Sequence, residues 1–328
     1  MPFRRVAEIR HSEYRRLRSL TKLAFPKGLR IIVAVALCLS SLFRPRIMPE
    51  QGSVELAVEK VTASARESQP DRVAIEEPLE IRLDYVAEGK RVTRSISITM
   101  RTPGDDASLA VGFLLTEGIV HDPGDVQGVR PCGPAAGPLG LHNVIRVELR
   151  EGVPVDLKRL ERHFYTTSSC GVCGKTSLDA LAMGNIVPLT DRLPRISAAT
   201  MHDLPQRLRR VQAVFDQTGG LHAAALFNSA GELLALREDV GRHNAVDKLL
   251  GAEFLAGRVP VADRGILVSG RASFELMQKA LMAGVPLLAA VGAPSSLAVE
   301  LAARFGMTLV GFLRDGRFNI YCGGWRLQ

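Results

Sequence analysis

The strongest constraint on the fold of this 328-residue chain lies in its last third. Three short runs, Gly265 to Val268, Pro286 to Val291 and Met307 to Leu313, are apolar throughout rather than alternating. A strand with one face in water shows every second residue polar, whereas a strand covered on both faces does not. Between these runs, Ser273 to Ala283 and Ser295 to Phe305 carry apolar residues at helical spacing, each opened by a serine that can cap a helix. Strands alternating with helices in this way predict an α/β sheet covered by helices. Ahead of it, Leu221 to Asn228 and Glu232 to Leu236 read as two apolar strands joined by a turn at Ser229-Ala230-Gly231.

The loops at the carboxyl ends of such strands are where α/β sheets bind ligands. Ser269-Gly270-Arg271-Ala272-Ser273 and Gly292-Ala293-Pro294-Ser295-Ser296 each follow a strand and open a helix. Free N–H groups at helix starts favour phosphate, and Arg271 adds a bidentate donor. Arg314-Asp315-Gly316-Arg317 is a turn offering two guanidinium groups. Together they point to a nucleotide or pyrophosphate pocket, although small residues before helices also serve as plain caps. Glu238 to Lys248 is the most polar-dense stretch nearby. If a helix starts at Arg242, then His243 and Asp247 lie one turn apart, and a hydrogen bond between them would fix the imidazole tautomer. A cap with a surface ion pair explains the same spacing. His222, at the start of an apolar strand, reads as a core histidine.

The first half has a different pattern. Leu79 to Tyr85 alternates strictly, Glu88-Gly89 makes a turn, and Arg91 to Met100 returns with Val92, Ile96, Ile98 and Met100 on one face, a hairpin. Pro103 to Asp106 caps a helix with Leu109, Phe113 and Leu114 inward, ending at Gly118. Pro131 to Gly140 is a glycine- and proline-rich loop, Ile145, Val147 and Leu149 mark a strand, and Asp156 to Phe164 a charged helix. The expected organisation is a disordered extension over 1–70, an α+β subdomain over 71–165, a cysteine loop and linker over 166–197, and an α/β subdomain over 198–328.

The net charge of +8 is misleading as a guide to partners. Residues 1–47 hold 11 Lys and Arg against 2 acidic residues, so the remainder carries a net charge of −1. A polyanion-binding surface is therefore not implied, and no nucleic-acid partner is expected. Ile31 to Phe43 is apolar for 13 residues, short of the roughly 18–20 that span a bilayer. It matches the length of a signal-peptide core, but no small-x-small cleavage site follows it. The reading is an extension outside the fold, either disordered or preceding a start at Met48, with no membrane partner.

Five cysteines, Cys38, Cys132, Cys170, Cys173 and Cys322, make an odd, sparse set that fits a reducing cytoplasm. Cys170-Gly171-Val172-Cys173-Gly174-Lys175 holds two of them with no bulky neighbour, followed by Thr176 or Ser177 as a helix cap. A helix N-terminus and an ammonium both favour the reactive thiolate. A zinc site lacks a second ligand pair, and a thioredoxin-type dithiol would need a buried strand immediately before the motif. Flanking Ser, Gly and Lys disfavour a buried structural pair. What remains is a sulfur carrier that holds a persulfide, with a dithiol oxidoreductase as the rival enzyme class and a nucleotide-cofactor chaperone as the non-enzymatic one. Cys132 and Cys322 read as packing.

Several segments in order resemble the formate dehydrogenase accessory sulfurtransferases, the FdhD family. They are Phe113 to Ile119, Cys170 to Gly174, Glu238 to Lys248, Ser269 to Lys279 and Thr308 to Arg317, within a match from about Arg72 to Tyr321. The resemblance implies a mixed sheet similar to cytidine deaminases, preceded by a smaller β-hairpin and helix subdomain. The deaminase zinc motif is missing, so no metal site is implied. It implies a cytoplasmic homodimer that takes sulfur from a cysteine desulfurase as a persulfide on Cys170, with Cys173 as partner. The acceptor implied is the molybdenum or tungsten bis(molybdopterin guanine dinucleotide) cofactor of formate dehydrogenase. Phe312, Leu313, Arg314, Asp315, Gly316 and Arg317 fall on the family's cofactor-binding segment.

Overall fold

The computed structural model describes residues 46–48, 52–135, 139–156, 188–189, 191, 193–314 and 316–328. Cys170, Cys173, the helix expected at Asp156 to Phe164 and Asp315 lie outside the described residues, Asp156 itself excepted. Strands β1 (Arg46–Met48), β2 (Ser53–Val61) and β3 (Arg66–Ala74) form a three-stranded sheet in that order. β2 and the first five residues of β3 lie within 1–70, the stretch read as a disordered extension, and their pairing from Ser53↔Ala74 to Val61↔Arg66 corrects that reading there.

β4 (Glu77–Ala87) buries Leu79, Ile81, Leu83 and Tyr85 to 3% exposure or less, as its alternation dictates. Glu88 (φ 51°) and Gly89 (φ 73°) turn it into β5 (Lys90–Arg101), and two consecutive positive φ values are what a tight hairpin requires. The face expected for β5 needs correction. Ile96 is an extra residue between the pairs Ile81↔Ser97 and Arg82↔Ser95. Beyond this bulge, Ser97, Thr99 and Arg101 pair with Ile81, Leu79 and Glu77, and Ile98 and Met100 turn outward, 64% and 47% exposed. One inserted residue reverses the phase of a strand. Inward Arg101, 1% exposed, meets Asp106 through Nε (3.0 Å) and Nη2 (2.9 Å).

Helix α1 (Asp106–Thr116) buries Leu109 and Leu114 as expected. β6 (Val126–Pro131) and β7 (Val144–Leu149) complete a four-stranded sheet in the order β5–β4–β7–β6, with β4 and β7 parallel. After α2 (Ala198–Val211) and α3 (Ala213–Thr218) comes the third, six-stranded sheet with its helices: β8 (His222–Phe227), β9 (Leu233–Asp239), α4 (Arg242–Leu255), β10 (Gly265–Val268), α5 (Phe274–Met282), β11 (Leu287–Ala290), α6 (Ser296–Arg304), β12 (Thr308–Arg314) and β13 (Arg317–Cys322). Its order is β13–β12–β11–β10–β8–β9. β10, β11 and β12 are parallel, while β8, β9 and β13 run antiparallel to their neighbours, so the sheet is mixed.

Both faces of this sheet are covered. Ala224, Leu226, Ile266, Val268, Leu288, Ala290 and Leu309 face α4, α5 and α6 in a core that continues through α1 to β4 and β7. Ala223, Ala225, Phe227, Leu267, Leu287, Ala289 and Val310 face Met201, Leu204 and Leu208 of α2. Ile47–Gln328 form one compact unit. Its centre is the crossing of α1 and α4, where a Cβ on Gly112 would stand 1.9 Å from the Asp247 carbonyl oxygen and one on Gly251 1.9 Å from that of Ser108. Only hydrogen fits there.

Candidate functional site

The carboxyl ends of β10, β11 and β12 present three loops stitched together by backbone hydrogen bonds. Gly292 N–H donates to Gly270 O (2.9 Å), Ala272 N–H to Ala293 O (3.1 Å), Ser295 N–H to Ala272 O (3.0 Å) and Phe312 N–H to Gly292 O (3.0 Å). A Cβ on Gly292 would sit 2.9 Å from Gly270 O, so the approach needs glycine. Ser269, which follows β10, fastens this rim to β8 by accepting at Oγ from Ala223 N–H (2.9 Å).

Phe312 adopts φ 53°, unusual for an aromatic residue, at a register shift between Gly311 and Arg314. Strained residues and bulges of this kind re-aim side chains beside functional sites. Leu313 is buried beneath, while Arg314 and Arg317 pair across the hairpin and are exposed. The Arg314 guanidinium lies 5.9 Å from the Phe312 ring centroid, within cation–π range. Gly316 takes φ 69°, as the two-residue turn demands. Phe312, Leu313, Arg314, Gly316 and Arg317 are thus gathered at one corner of the rim.

A second cluster sits at the other end of that rim, where His222 pairs with Asp239 across β8 and β9. Asp239 is fully buried. Its carboxylate accepts from Thr102 N–H (3.1 Å), Gly241 N–H (2.8 Å) and Asn244 Nδ2 (3.0 Å) and is paired with Lys248 Nζ (2.8 Å). That fixes the turn into α4 and with it Arg242 and His243. The bond expected from His243 to Asp247 is not made. Asp247 accepts instead from Lys279 Nζ (2.9 Å to each oxygen) and Thr116 Oγ1 (2.9 Å), both buried beneath the rim. The alternative of a surface ion pair fails too, because Asp247 and Lys248 are 3% and 2% exposed. Burial works against the Lys279 charge, yet the carboxylates of Asp247 and Glu117 hold its pKa above the ordinary lysine value.

His243 Nε2 lies 4.0 Å from Glu275 Oε2, out of hydrogen-bond reach. Burial, reinforced by the charges of Lys279 and Arg242, pushes its pKa down from 6.5 to about 4, against the pull of Glu275. His222 is lowered as well, by burial and by Arg242. Both imidazoles are therefore neutral near pH 7. The sequence had set His222 aside as a core histidine and gave Arg242 no role. Twenty residues separate the two, and only the β8–β9 pairing brings them together.

A cavity of about 310 Å³ lies between Arg101, Asp106, Val129 and His142. Of its charged groups, Arg101 and Asp106 pair with each other and Asp105 with Arg237 of β9. Among the described residues no group of His, Cys, Asp and Glu has the arrangement of a metal site, and no helix is long and apolar enough to cross a membrane. Cys132 and Cys322 are partly buried, and burial raises the Cys322 pKa, the opposite of a reactive thiol.

The model of the FdhD/NarQ family matches residues 74–328 of the chain. The chain belongs to the FdhD/NarQ family. It is 52% identical over 270 residues to the sulfur carrier protein FdhD of Streptomyces coelicolor, covering 82% of this chain and 93% of that protein. The protein of the same name from Mycobacterium tuberculosis is 52% identical over 259 residues, 77% of this chain and 91% of the other. Among solved structures, a putative formate dehydrogenase accessory protein from Desulfotalea psychrophila superposes with a TM-score of 0.64 at 25% identity, covering 84% of this chain and 99% of that one. The mixed α/β architecture is thus that of an FdhD-type protein. The family match begins at residue 74, where β3 ends, so the β2–β3 hairpin stands before it.

Proposed function

We propose that this chain is a sulfurtransferase of formate dehydrogenase maturation, carrying sulfur as a persulfide on Cys170. The observation that carries the reading is near-half identity, over more than nine-tenths of their length, to proteins named sulfur carriers. The Cys170-Gly171-Val172-Cys173 motif supplies the chemistry. The Cys170 thiolate attacks the terminal sulfur of a cysteine desulfurase persulfide, and the desulfurase leaves as a thiolate. Attack of the Cys173 thiolate on the inner sulfur then expels hydrosulfide and leaves a Cys170–Cys173 disulfide, which a dithiol reductant resets. The acceptor substrate is the molybdenum or tungsten bis(molybdopterin guanine dinucleotide) cofactor, held through its anionic groups by the segment Phe312 to Arg317. The same reading makes the protein a cytoplasmic homodimer that meets a desulfurase and formate dehydrogenase in turn, with 71–165 and 198–328 as subdomains joined by the cysteine segment 166–197.

Incubation with a cysteine desulfurase and cysteine is expected to add one sulfur atom to Cys170, visible by mass spectrometry of the alkylated peptide. The Cys170→Ala protein should neither gain the mass nor activate formate dehydrogenase while melting at the wild-type temperature. A double Cys170→Ala, Cys173→Ala protein that still activated the enzyme would show a cofactor chaperone instead.

A further inference from the structure

The outer face of the β5–β4–β7–β6 sheet is open, whereas its inner face is sealed by the core. β4 and β7 at its centre run parallel, and parallel strands occur almost only where both faces are covered. The register sets Ser95, Arg82, Arg146 and Arg130 in one row across the four strands. Three arginines therefore stand on neighbouring strands, about 4.8 Å apart in the backbone. Glu80 flanks this row on one side, Asp84 and Glu148 on the other. Arg82 pairs with Glu80 (2.8 Å), Arg91 with Asp84 (2.9 Å), and Arg146 (3.3 Å) and Arg130 both with Glu148. Four cations thus share three carboxylates, and the cations form the outer layer. The arginine side chains are 29–58% exposed and the acidic ones 8–22%.

Ile98 and Met100 border the row on the Glu80 side, turned outward by the bulge at Ile96 and well exposed. Bulges re-aim side chains beside functional sites, and methionine and arginine are enriched where proteins meet. The charge pattern decides what covers the face. Nucleic acid or an anionic lipid layer would meet the carboxylates as well as the arginines. A second copy would set the same four arginines against themselves. Residues 1–47 are basic, and so are residues 157–187, with four Lys and Arg against two acidic residues. A folded partner that places carboxylates around an apolar side chain matches both parts of the face.

We propose that this face docks the sulfur donor, a cysteine desulfurase with an acidic contact patch. The proposal rests on the sulfur-carrier reading. In that reading the cofactor belongs to the segment Phe312 to Arg317 on the six-stranded sheet, and the donor is the partner that brings a protein surface alone.

The test loads Cys170 of the full-length protein from two sources, a cysteine desulfurase with cysteine, and glutathione persulfide. From the latter the Cys170 thiolate takes the terminal sulfur, and glutathione leaves as a thiolate. Ile98→Asp, and a double Arg82→Glu, Arg130→Glu protein, should each need about tenfold more desulfurase for half-maximal loading. Both should load from glutathione persulfide at the wild-type rate. Arg210→Glu, on the exposed side of α2, should match the wild type with either source. Wild-type loading of both face variants by the desulfurase overturns the proposal, and so does an equal loss with both sources. Should the double variant fail to fold, Ile98→Asp alone decides, since that side chain is 64% exposed. Face variants that turn a wild-type dimer into monomers assign the face to a second copy and overturn it too. A wild-type protein that loads from glutathione persulfide but not from the desulfurase sinks this docking alone; one that loads from neither sinks the carrier reading with it.

Discussion

Lys279 shows what a single residue does beneath this rim. Its ammonium is 2.9 Å from both oxygens of Asp247, and both groups are buried. Replacing it with methionine leaves Asp247 buried without its cation, where burial already pushes its pKa up, and costs about 3–5 kcal/mol. Urea unfolding of Lys279→Met should show that loss as a lower midpoint at unchanged slope; a loss below about 1 kcal/mol would mean that Asp247 is rescued by Thr116 alone. Asp247 stood out in the sequence, whereas Thr116 and Lys279 lay unremarked inside segments that carry the family resemblance. Spacing placed His243 one turn before Asp247, and the nearer donors turned out to come from α1 and α5, more than thirty residues away in either direction. Local periodicity fixes which residues share a helix face, not which side chain wins the hydrogen bond.

At the level of elements, the α1–α4 crossing tolerates no side chain. Gly251→Ala would push a methyl group into the Ser108 carbonyl, where a backbone atom, not a flexible side chain, stands in the way. The expected loss is about 1–3 kcal/mol or more, read as a drop in melting temperature. Gly257→Ala makes the comparison, since nothing lies within 4 Å of a Cβ there and only its positive φ of 69° opposes the change. A Gly251→Ala protein as stable as the wild type would mean that the helices slide apart freely. The apolar runs of β10, β11 and β12 were readable because burial on both faces removes polar residues altogether. β5 was misread because a one-residue bulge at Ile96 reverses its inward face without leaving a mark in the sequence. α2 was missed although Met201, Leu204 and Leu208 recur at helical spacing; Pro205, inside the helix, conceals the pattern.

At the largest scale, the helices between the four- and six-stranded sheets belong to a single hydrophobic core. A single cooperative unfolding transition is therefore expected, with calorimetric and van't Hoff enthalpies in agreement. Two resolved transitions would mean that 71–165 and 198–328 fold separately. The sequence showed both groups of strands and the cysteine motif but not this sharing of one core, because contacts between distant segments leave no periodic trace.

Arg326 anchors the residues that follow the cysteine segment in the sequence. Fully buried, it donates to the carbonyls of Leu193 (2.9 Å), Gly306 (2.9 Å) and Leu189, tying the returning chain to the start of β12. The arginine hairpin stands at the far end of that same strand, roughly 20 Å away. Sixteen residues link Cys173 to Leu189 and cover at most about 55 Å when extended. That upper bound is more than twice the length of β12, so covalent reach from Leu189 does not bar the thiols from either end of the sheet.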